Sequence, residues 1–152
     1  MTSARLGAAV PTWTKLLALA LSTGALVAGC TDATQAALND EWQQMARCSA
    51  YYSLRAESVQ GSRTAADRRT ADTARADAAL TYRYSHELGR HGGHGLTDTD
   101  TALRKISDDL RHTIDADLSN IGRLRTRYED ECTTIVTEGQ ARIEYWSAEL
   151  DD

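Results

Sequence analysis

The 152-residue chain has no phenylalanine, a single proline and only three cysteines. Each scarcity excludes something. With Pro11 as its one proline, the chain lacks the turn chemistry on which a many-stranded sandwich or barrel depends. Helices are expected instead. Basic residues are also outnumbered, 17 Lys and Arg against 22 Asp and Glu, and the resulting net charge of −5 argues against a nucleic-acid partner. What is present is ordinary for a folded chain: 41% hydrophobic and 26% charged residues at a length that suits one domain.

The first 29 residues form a distinct segment. They carry Arg5 and Lys15, no acidic residue, and an apolar stretch from Leu16 to Ala28. That charge and length fit a secretory signal, and about 13 apolar residues fall short of the roughly 20 needed to span a bilayer. Its end, Val27-Ala28-Gly29-Cys30, is a branched apolar residue, two small residues and a cysteine. This resembles the lipobox of bacterial lipoproteins, over residues 1–30 only. The resemblance implies diacylglycerol on the Cys30 thiol, cleavage before Cys30, and usually a further acyl chain such as palmitate on the new amino group. Two or three acyl chains hold a protein stably on a membrane. The expected location is the cell envelope: the outer membrane facing the periplasm in a Gram-negative host, since Thr31 and not Asp follows the cysteine, or the outer face of the plasma membrane in a Gram-positive one. A linker at 30–34 would then lead to a helical domain at 35–152.

Loss of 29 residues removes two cations, so the remaining 123 residues (152 − 29) carry 15 bases (17 − 2) and 22 acids, a net charge of −7. Of their cysteines, Cys48 and Cys132 stay free of lipid, and two thiols in an exported chain point to one disulfide.

Apolar spacing gives the helices. Leu38, Trp42, Met45, Ser49, Tyr52, Ala56 and Val59 lie at steps of four and three, ending near Gly61-Ser62. Ser62 to Leu88 is rich in alanine and arginine, with a thin apolar face but high helix propensity. Gly89 stops it, and the glycine-rich stretch Arg90 to Leu96 is expected to be a flexible connection. From Leu103 to Leu150, thirteen steps of three or four cover 47 residues, close to the 3.6 period of an α-helix.

That last pattern permits two architectures: an up-down four-helix bundle with a turn near Asn120 and Gly122, or two shorter helices plus one long C-terminal helix. The cysteines separate them. In the bundle, Cys48 and Cys132 lie within about 4.5 Å of the same height on neighbouring helices, and a disulfide can close. In the long-helix alternative they are roughly 28 Å apart. The all-α bundle is therefore the expected fold.

Candidate binding residues are few. His86, His91 and His94, with Asp98 or Asp100, offer nitrogen and oxygen ligands for zinc, copper or nickel on a mobile loop. Tyr51, Tyr82 and Tyr145 each adjoin or oppose a residue of an apolar face, so they are expected to point outward as protein contacts. Residues 61–97 hold six arginines against four acids, while 98–152 hold seven bases against fourteen, so the second helix is expected to lie against acidic neighbours. Arg125 with Glu129 and Arg127 with Glu131 are spaced for helix-surface ion pairs. No nucleophile elbow, phosphate loop, HExxH or paired zinc thiolates occur. Acids such as Asp108, Asp109, Asp115, Asp117 and Asp130 fall between apolar positions and read as a solvated face, not as an acid–base pair. The functional expectation is a non-catalytic, membrane-anchored envelope lipoprotein that binds or assembles with an envelope protein. An inhibitor or immunity protein against an envelope-targeting enzyme or toxin, and a metal-binding lipoprotein, are the alternatives.

Overall fold

The computed structural model describes the backbone of residues 13–151 and the side chains of residues 32–150. The leader at 1–29 and Cys30 lie outside the residues whose side chains are described. The chain divides into a first unit ending at Ala36 and a second, Ala37–Asp152, that contains the bundle.

Four α-helices follow in order: α1 Trp13–Ser58, α2 Ala65–His91, α3 Leu96–Thr113 and α4 Ile121–Asp151, with a one-turn 3-10 helix at Leu118–Asn120. There is no strand among the described residues. The expected all-α helical bundle is the observed one. Helical backbone includes Asp32, Ala33 and Thr34, which the sequence reading placed in a linker. Among the described residues no helix is long and apolar enough to cross a membrane.

Each boundary has a local cause. α2 begins at Thr64, whose side chain accepts the Asp67 amide at 3.1 Å while its hydroxyl donates to the Asp67 carboxylate at 2.6 Å. The first contact satisfies one of the helix's unpaired terminal N–H groups, and the second holds the capping hydroxyl in place. The Ser62 hydroxyl also donates to Asp67, and together the two hydroxyls hold that carboxyl below its ordinary range. Gly61 supplies the left-handed backbone, φ +89°, that reverses the chain before it. α3 starts where the Asp98 carboxylate accepts the Gly95 amide at 2.9 Å.

The connection between α3 and α4 lies earlier than the sequence reading placed it. The helix ends at Thr113, and Asp115 and Ala116 take the left-handed conformation with φ of 57° and 56°. The Asp117 side chain accepts the Ser119 amide at 2.9 Å, and Asn120 Nδ2 donates back to the Ile114 carbonyl at 3.2 Å. Ile114 stays fully buried on one side of this turn, and Leu118 and Ile121 pack against the core on the other. The apolar period therefore runs through the break undisturbed, which is why spacing alone did not locate it.

α1 is deeply embedded in its second half: Met45, Ala46, Cys48, Ser49, Ala50, Tyr51, Tyr52 and Leu54 are all buried. Each neighbour is identified by a contact. Ser49 Oγ donates to the Ala78 carbonyl of α2 at 3.1 Å, Arg111 of α3 reaches Glu57 at 2.6 Å, and Cys48 is bonded to Cys132 of α4 with their Cα atoms 5.2 Å apart. The expected disulfide is present. α2 and α4 approach closely at Gly139, where a methyl group would overlap the Tyr84 ring.

Candidate binding groove

α3 is the least embedded helix of the bundle, with Thr99 and Leu110 as its buried residues. Beside it, between α1, α2 and α3, runs a groove of about 710 Å³. Ala50, Ala78, Ala79 and Leu103 provide its apolar lining, and Ser49, Ser53 and Ser107 line it with hydroxyls. Small residues on α1 and α2 create it, because alanine and serine leave the space between two helices unfilled where leucine would close it. A further section of about 280 Å³ shares Ser53 and Ala78 and extends the groove past Ala56 to Gln60.

Tyr82 and Asp100 join the two walls: the tyrosine hydroxyl donates to Asp100 Oδ1 at 3.0 Å, tying α2 to α3. That hydrogen bond, more than burial, pushes the Tyr82 phenol above its ordinary value, so it stays a neutral donor through the physiological range. Arg83 and Arg104 stand on opposite walls with Asp100 and Asp108. On the other side of α3 a second groove of about 590 Å³ is lined by Trp42, Ile106, Leu110 and Tyr128.

The three tyrosines expected to face outward have different fates. Tyr82 is half-buried at the groove and Tyr145 is 58% exposed, its ring edge-on to Trp146. Tyr51 corrects the expectation, since it is wholly buried. It lies on the side of α1 that α4 covers, and its hydroxyl donates to Glu129, which also holds Arg55 through contacts of 2.8 and 3.0 Å. Burial first, and the Glu129 hydrogen bond next, push the Tyr51 phenol far above its ordinary value. This is a structural ion-pair cluster between α1 and α4, not a contact surface.

The histidines do not converge. His94 stacks on Trp42 with ring centroids 4.0 Å apart and shares a 3.0 Å hydrogen bond with Asn39. His91 Nε2 meets Ser147 Oγ at 3.2 Å, and His86 lies near the Tyr82 ring. No group of three metal-ligating side chains forms among the described residues. His86 and His91 lie in α2, which runs past the expected stop at Gly89 to His91, and the short connection that carries His94 is tighter than expected. The His94 amide donates to the Gly89 carbonyl at 2.8 Å, and a Cβ at Gly89 would lie 2.8 Å from Trp42 Nε1 and 3.0 Å from Thr99 Oγ1.

Ion pairing likewise departs from the linear spacing. Glu129 pairs with Arg55 and Glu131 with Arg47, both across to α1, while Arg127 lies over the Tyr128 ring at 5.2 Å. Arg125–Glu129 and Arg127–Glu131 are not formed, because α1 presents arginines to the same carboxylates. Nor do acidic neighbours receive the arginines of α2: Arg75 is ion-paired, with Asp72 of its own helix. The groove residues on α1 and α2 were missed by sequence reasoning, which looked for large or polar groups. The run of alanines and serines at 49, 50, 53, 78 and 79 was the available signal.

Comparison with known proteins adds no relative: no family model, no curated protein and no solved structure matches the chain.

Proposed function

We propose that the chain is a non-catalytic, lipid-anchored protein of the cell envelope that acts as a protein-binding or assembly module, with the groove between α1, α2 and α3 as its receiving surface. The observation that carries this reading is the groove itself: an apolar lining, bordered by hydroxyls and charges, on a frame whose α1 and α4 are covalently joined. An apolar floor with a polar border is the arrangement that gives a protein contact both affinity and register. The anchor at Cys30 adds local concentration at the membrane.

The test fills the groove from an exposed position. Ser53 is solvent-exposed and lines both sections, so Ser53→Trp places an indole in the groove without disturbing the core. Crosslinking in intact envelopes should recover one partner with the wild type and at least fivefold less with Ser53→Trp, with circular dichroism unchanged. Equal recovery from both removes the groove from the reading. A recovered lytic enzyme or toxin would replace assembly with inhibition. Anchoring is read separately: Cys30→Ser should release the protein from membranes, and persistent association would overturn the lipobox assignment.

A further inference from the structure

α2 presents its cations in one row. Arg68, Arg75, Arg83 and Arg90 follow at steps of seven or eight residues, which is two helical turns, and so share one face at intervals of about 11 Å. All four are exposed, and of these only Arg75 is ion-paired. Elsewhere Arg47, Arg55, Lys105, Arg111, Arg123 and Arg142 each have a carboxylate partner, while Arg104, Arg125 and Arg127 are not ion-paired among the described residues. Against the exposed acids beside it, Asp72 and Glu87, the row of four arginines keeps a net positive charge on an acidic protein, and Arg75 and Arg83 also border the groove.

The complementary surface is on α4. Asp130, Glu138, Glu144 and Glu149 are exposed there, and Arg142, the one base after Arg127, is held by Glu41 at 2.7 Å and also reaches Glu138 at 3.4 Å. α2 and α4 run in the same direction, and two contacts fix their relative height: Tyr84 packs at Gly139, and His91 meets Ser147. A residue of α2 is therefore level with the α4 residue 55 or 56 positions later. In a neighbouring copy standing in the same orientation, Arg83 comes level with Glu138, and Arg90 within about one turn of Glu144.

We propose that the arginine row of α2 docks against the acidic face of α4 on a second copy of this chain, side by side and in the same orientation. The shared orientation rests on the anchoring at Cys30 proposed above, which places every copy the same way up. Each exposed ion pair is weak and screened by salt, so the contact forms where tethering in one membrane keeps copies at high local concentration.

A photo-crosslinking amino acid at position 76, exposed beside the row, tests this in cells expressing the full chain. Illumination should give a covalent dimer whose second component maps to α4. Arg90→Glu should lower dimer yield at least fivefold, and Arg90→Glu with Glu144→Arg should restore it to within twofold of wild type. Unchanged yield in the single variant, absence of rescue, or adducts with another protein alone would each overturn the proposal. Rescue of Arg68→Glu instead of Arg90→Glu by Glu144→Arg would overturn the orientation. The same charge swaps in concentrated Cys30→Ser protein at low salt separate the two readings. If that protein stays on membranes but the swap pattern persists, anchoring at Cys30 fails and the contact stands. If it leaves membranes and the swaps have no effect in either setting, anchoring stands and the contact fails.

Discussion

Removing the Cys48–Cys132 bridge should cost this protein a large part of its stability. The bridge closes a loop with a sequence separation of 84 residues, and it joins α1 to α4, the first and last helices of the bundle. Chain-entropy arithmetic, with a loss of about 2.1 + 1.5R ln n in cal/mol/K, gives about 4.5 kcal/mol at 25 °C for such a loop. Ordinary domains have about 5–15 kcal/mol in total, so the loss is about 30% or more of any value in that range. Both sulfurs are fully buried, so Cys48→Ala with Cys132→Ala also removes packing atoms. The cleaner comparison is the wild type with its bridge reduced, which keeps every atom. Urea unfolding at pH 7 should place the reduced wild type 3–5 kcal/mol below the oxidised protein, about the range found when native bridges are removed. The double alanine variant should fall at or slightly below the reduced protein. A loss under about 1.5 kcal/mol would refute the reasoning, because it would mean that the unfolded chain is already held in a compact state without the bridge.

Two glycines of α4 should respond in opposite directions to the same change. Gly139→Ala forces a methyl into the Tyr84 ring and should cost about 1–3 kcal/mol, whereas Gly122→Ala meets open space and should gain about 0.5 kcal/mol; thermal unfolding of both variants checks the pair. Thr99→Val should stabilise by about 1 kcal/mol or more, because the Thr99 hydroxyl is buried with no hydrogen-bond partner and valine removes that desolvated group at nearly constant shape. A loss of stability in urea would show that the hydroxyl is satisfied after all. Burial, the largest influence on Asp77, raises its carboxyl above the ordinary range despite the opposing pull of Arg55. The folded state therefore binds this proton more tightly than the unfolded state. That contribution is present below about pH 3.9 and is lost as pH rises through the folded-state value. Asp77→Asn should accordingly raise the urea midpoint at pH 7 and leave it unchanged at pH 3, and an equal effect at both values would contradict the assignment.

The linear sequence by itself determined the helices and the covalent link. Apolar spacing of 3.6 is a property of one helix and its buried side, so it survives without knowledge of the neighbours. With helix lengths in hand, Cys48 and Cys132 fall at one height only if the chain turns between α3 and α4. The turn itself was placed several residues late. Ile114, Leu118 and Ile121 keep a helical spacing across it, and only the left-handed pair Asp115–Ala116 departs from helix, which Ala116 does not advertise. What the tertiary structure alone decided was which polar faces are covered. Tyr51 is turned away from the periodic face of α1, yet α4 encloses it and Glu129 takes its hydroxyl. Glu129 and Glu131 reach Arg55 and Arg47 on α1 instead of the arginines of their own helix. The groove is of the same kind, since an alanine marks empty space only once the helix opposite is known. A sequence records what one helix face is made of, whereas burial, ion pairing and cavities belong to pairs of faces. Those pairs are set when the four helices pack.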